Sequence, residues 1–178
     1  IVGLFAQSYD EQNDTDYQSS VTVRNSTLNI TSYDNAICSG LGGVIIDNSA
    51  VEINSDVFSM YTYGDIVIKG DKTDILANDY DGINADNILK IEGGNINLTS
   101  VSGGLFGYNG IEITGGTTSV SAEDGSAILA NNGLLSITGE NTHVNAISNA
   151  EDTATIRNVR DGGIYLDADV KAENKAGG

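Results

Sequence analysis

The chain has no proline and no tryptophan, and only one cysteine, one methionine and one histidine in 178 residues. Proline would remove a donor from any interior strand, so its absence leaves every backbone N–H free to join a hydrogen-bond ladder. A lone cysteine, Cys38, excludes an internal disulfide framework and reads as a small packing residue. The lone histidine, His143, has no Ser or Cys nucleophile in register and reads as a surface residue. Basic residues are scarce too. Eight Lys and Arg against 25 Asp and Glu leave a net charge of −17, and phosphate binding needs a basic face, so nucleic acid is not expected as a partner. No stretch approaches the ~20 apolar residues of a membrane-spanning helix.

What the chain does have is a repeat. Val23, Ile46, Ile68, Ile91, Ile113 and Ile137 follow one another at intervals of 23, 22, 23, 22 and 24 residues. Ile30, Ile53, Ile75, Leu98, Val120 and Val144 keep the same intervals. Ile37, Met60, Ile83, Leu105 and Ile128 make a third series. A period of this length is the mark of a solenoid, in which each coil buries its apolar side against its neighbours.

Within a coil the apolar residues alternate with polar ones, as in Leu89-Lys90-Ile91 and Ile96-Asn97-Leu98, which is the strand pattern. Leu89 and Ile91 then point inward and Lys90 outward. Glycine pairs such as Gly93-Gly94 and Gly115-Gly116 supply corners. Small residues recur after the second strand, at Ser32, Ser55, Ala77, Ser100, Ala122 and Ala146, where a sharp bend leaves little room. The expected fold is all-β: a right-handed parallel β-helix with three sheets and about six to seven coils of 22–24 residues.

One domain is the natural reading at this length. Residues 1–19 lack the coil register and are expected to act as a cap or linker. Residues 20–178 form the β-helix domain, with an inserted loop near 148–152, because Ile137 to Leu166 spans 29 residues. Thr155-Ile156-Arg157 then becomes a displaced third strand. The chain begins at Ile1 without methionine and reads as a piece of a longer surface protein. Open β-helix ends would allow self-association.

The run Asp81-Gly82-Ile83-Asn84-Ala85-Asp86, continuing through Ile91-Glu92-Gly93-Gly94-Asn95-Ile96, resembles the coil of bacterial cell-surface β-helix proteins that bind carbohydrate. Asp124-Gly125-Ser126-Ala127-Ile128 is a looser echo. The resemblance covers residues of about 65–145 and implies an extracellular or cell-surface module. It also implies binding to cell-wall polysaccharides, including acidic pectin, with calcium as cofactor.

Three sets of residues could carry chemistry. The first is an acidic column before the third strand, Asp34, Asp56, Asp79 and Asp124, thickened by Asp81. Carboxylates at coil spacing, ~5 Å apart, repel unless a cation intervenes, and calcium favours such oxygen ligands; a plain solvated turn is the alternative. The second is the outward row of the second sheet, Asn29, Glu52, Asp74, Asn97, Ser119 and His143, which could bond sugar hydroxyls or simply face solvent. The third is the outward row of the third sheet, Cys38, Tyr61, Asn84, Phe106 and Leu129, with Tyr63 and Tyr108 in the following turn. Exposed aromatics suit pyranose rings, unless the N-terminal segment or the 148–152 loop covers them.

A catalytic role has less to stand on. A lyase needs a Lys or Arg base beside bound calcium, and Lys90, outward on the first sheet, has Val67 and Glu112 as row neighbours. Glu52 and Asp74 could match an inverting hydrolase only by stacking. The reading is therefore a non-enzymatic module binding a polysaccharide or a host or matrix glycan, an acidic one being bridged by calcium. The alternatives are an adhesive or structural stalk or filament subunit, and a polysaccharide lyase.

Overall fold

The computed structural model describes residues 3–6, 9–10, 15–16, 19–151, 153–160 and 162–176. Among them every regular element is a strand. Seven strands, from Leu4–Ala6 to Ile156–Asn158, pair in parallel as one sheet of a β-solenoid of about seven turns.

The other two faces of each coil share one hydrogen-bonded network, where three separate sheets were expected. In the C-terminal half the first and second strands run on as Ile88–Ser100, Gly110–Ala122 and Leu135–Ser148, with register shifts at the corner. In the N-terminal half the corner breaks the strand, as between Val44–Asp47 and Ala50–Ser55. The corner needs a left-handed residue in either case. Gly94 and Gly116 have φ of 88° and 78°, and Asn48 supplies φ 47° where glycine is absent. A Cβ on Gly116 would stand 2.2 Å from the Gly94 carbonyl oxygen, so the stacked corners leave no room for one.

Pairing follows the first series throughout, from Val23↔Ile46 to Ile113↔Ile137 and on to Leu166. Ile68, Ile91 and Ile113 have no exposed surface, and burying each contributes about 1.5–3 kcal/mol. The third series pairs as expected, Ile37↔Met60↔Ile83↔Leu105↔Ile128.

The second series is offset at two of its members. Ile53 and Leu98 both pair with Ala77, not Ile75, and Val120 pairs with Ala146, not Val144. A slip of two residues keeps the same face inward, so Ile75 and Val144 remain in the core, one position along the strand. The small-residue column moves with it. Ser100 pairs with Asp79 and Ala122 with Ser148, which puts a carboxyl in the inward column between Ser55 and Ser100.

Within residues 1–19, Leu4–Ala6 is itself a coil strand, pairing in parallel with Ile37–Ser39. Tyr9–Asp10 and Thr15–Asp16 form a separate antiparallel pair. The residues added after Ile137 are spread over the coil: two lie in the corner, where Gly116 pairs with Thr142, two between Ser148 and the strand Ile156–Asn158, which pairs with Ile128–Ala130, and one beyond that strand. The last coil runs past Val170, pairing with its predecessor as far as Asn174.

A candidate carbohydrate-binding face

The outward row of the seven-stranded sheet holds in register over its whole length: Phe5, Cys38, Tyr61, Asn84, Phe106, Leu129 and Arg157. Cys38, flanked by Phe5 and Tyr61, is buried, and burial pushes its thiol pKa up. The rest of the row is more open: Tyr61, Asn84, Phe106 and Leu129 are half-buried, and Phe5 and Arg157 are exposed. Arg157 makes no hydrogen bond or ion pair with the described residues, and neither does the side-chain oxygen of Asn84.

A second row runs beside it through the next turn. Backbone bonds from Asp86 N to Thr62 O and from Tyr108 N to Ala85 O set Tyr63, Asp86 and Tyr108 side by side. Each row therefore reads aromatic, polar, aromatic over three coils. At the first of these coils Phe58, Tyr61 and Tyr63 form a cluster. Phe58 and Tyr61 stack with ring centroids 5.2 Å apart, and Tyr63 meets Tyr61 edge-on at 5.3 Å. The Tyr61 hydroxyl donates to Asp86 at 3.0 Å. Burial, then the neighbouring Tyr63 and Asp86, raise its pKa and keep it a neutral donor. Tyr63 and Tyr108 are exposed.

On the other side of the outward row lies a groove of about 330 Å³. Its floor is Ser102–Gly104 and Gly125–Ser126, where short residues leave space. Phe58 and Asp81 line one end, Phe106 and Leu129 the middle, and Thr153 and Arg157 the other end. Phe58, Asp86, Arg157 and this small-residue floor were not singled out from sequence. The signal for the floor was present in the glycines at 103, 104 and 125.

The second-face row differs from expectation because of the same two-residue slip. Glu52 pairs with Leu76, and Leu76 with Asn97, while Asp74 falls in the next row, between Ala50 and Asn95. His143 belongs to that row too, opposite Thr117 and Asp169. Glu52 and Asp74 are thus not stacked. Each accepts a bond from its own asparagine, Asn29 to Glu52 and Asn95 to Asp74, both at 3.0 Å. On the first face Lys90 is paired with Glu112 at 3.5 Å.

The acidic column does not form a cage. Asp79 turns inward, where it accepts bonds from the Ser59 hydroxyl and from Gly82 N. Burial raises its pKa to about 6, although both hydrogen bonds oppose the shift. Asp34, Asp56 and Asp124 are exposed, and Asp81 lies at the groove. No group of three or more His, Cys, Asp or Glu side chains among the described residues is arranged to hold a metal ion. The five carboxylates therefore do not fit a shared calcium site. The register slip turns the central one away from the others.

Residues 45–177 match the model of a family described as carbohydrate-binding domain-containing protein. The chain belongs to this family. The matched range takes in both aromatic–polar–aromatic rows and the whole groove. No curated protein and no solved structure matches the chain.

Proposed function

We propose that the chain is a non-catalytic module, working outside the cell or at its surface, whose seven-stranded sheet binds glycan along the Tyr61–Asn84–Phe106 row. One observation carries the reading: an open groove walled by Phe106 and Leu129 beside two aromatic–polar–aromatic rows, on a chain of a carbohydrate-binding family. Aromatic faces pack against the C–H faces of pyranoses, while Asp86 offers an acceptor and the Asn84 amide nitrogen a donor to hydroxyls.

The ligand we favour is uncharged. A surface at −17 repels a polyuronate within about 8 Å at physiological salt, and the acidic residues are not gathered to hold a bridging cation. Binding without cleavage is supported by the pairing of Lys90 with Glu112, which occupies the base a lyase reading would use.

A glycan array with the native chain, Phe106→Ala and Glu52→Gln tests the reading. Phe106→Ala should weaken every hit by about tenfold, the scale of one lost aromatic contact, while Glu52→Gln on the second face leaves binding unchanged. If the native chain binds no glycan, the stalk reading takes precedence.

A further inference from the structure

We infer that the ligand is an extended, flat polysaccharide lying parallel to the solenoid axis, one sugar ring per coil, so that the site reads the interior of a chain and not its end. The inference rests on the carbohydrate-binding reading and adds to it the direction and shape of the ligand.

Direction comes from the groove. Its lining passes in order through Phe58, Asn84, Phe106, Leu129 and Arg157. Tyr61, paired with Asn84, belongs to the coil of Phe58, so these residues come from five successive coils joined by pairing. The groove thus crosses the strands and follows the stacking direction. A ligand along a strand would leave it within one coil.

Shape comes from the spacing. Successive coils are ~4.8 Å apart, which matches the advance of one hexopyranose along an extended chain. The aromatics recur at every second coil, Tyr61 and Tyr63 and then Phe106 and Tyr108, with Asn84 and Asp86 between them. In a 1,4-linked chain with equatorial bonds each ring is turned by half a turn from the last. The same ring face and edge therefore return at every second residue. A chain of this kind would present the same stackable face to both aromatic coils, and the hydroxyls flanking the ring between them would pass the polar coil. An α-1,4-linked glucan coils, and would leave the track after a ring or two.

Calorimetric titration with β-1,4-linked gluco-, manno- and xylo-oligosaccharides of two to six units tests this, with α-1,4-linked gluco-oligosaccharides of equal length for comparison. In at least one β-linked series the affinity should rise about tenfold from two units to three, as the second aromatic coil is reached. It should rise again up to five units and then level off. The α-linked series should gain nothing with length. Arg157→Ala, at the far end of the groove, should remove the gain between four and five units and leave shorter ligands unaffected.

Length-independent affinity, equal gains in the α-linked series, no binding by any series, or a loss from Arg157→Ala that is uniform across lengths would each overturn the inference. Failure of the underlying site assignment is separately visible, as array binding that Phe106→Ala leaves intact.

Discussion

Asp79 occupies the corner position that Ser55, Ser100, Ala122 and Ser148 hold in neighbouring coils. A serine there can satisfy itself on backbone, as Ser148 does on the Gly125 carbonyl. A carboxylate must also be desolvated. Its pKa rises from 3.8 to about 6 on folding, with burial as the main cause. Because the folded value is the higher one, the stability this group contributes is complete below pH 3.8 and is lost as pH rises through about 6. Asp79→Asn cannot ionise. Its stability relative to the native chain should shift in its favour by about 2 kcal/mol between pH 4 and pH 8. Urea midpoints at the two pH values would show this, and an unchanged gap would mean that Asp79 is solvated.

At the scale of the element, the long bent strands depend on the inward column and on the corner. Ile91 sits without exposed surface between Ile68 and Ile113, so Ile91→Asp places a charge where no partner or water can reach it and should leave the protein unfolded or aggregated. Asn97 is exposed on the opposite face of the same strand. Asn97→Ser should change stability by less than about 0.5 kcal/mol. Circular dichroism of the two purified variants would check both outcomes, and a soluble, native-like Ile91→Asp would contradict the register.

For the whole molecule, the ends and the charge decide behaviour. Leu4–Ala6 covers one edge of Ile37–Ser39. Deleting residues 1–19 should leave that edge unpaired and open to another chain, seen as oligomers by light scattering. The scattered carboxylates make a second expectation. Millimolar calcium, or a chelator, should move Tm by less than about 1 °C, since a ligand stabilises only a native state that binds it. A clear calcium-dependent rise would restore a metal site at Asp56, Asp81 or Asp124.

The solenoid was legible in the sequence because its cause is local and periodic. Each coil must repeat an inward aliphatic side chain to bury the next, so Val23 to Ile137 could be counted off directly. The outward row from Cys38 to Leu129 was legible for the same reason, since its strands are short and the one shift among them, at Gly82, falls before the row's residue Asn84. Asp79 and Glu52 were not. A slip of two residues leaves the alternation of apolar and polar residues intact, so nothing in the pattern reveals it, yet it exchanges which polar residues become neighbours. The groove was also out of reach. It is made by side chains that are missing at 103, 104 and 125, and such a hollow becomes a site only when stacking sets those two coils side by side next to Phe106 and Leu129.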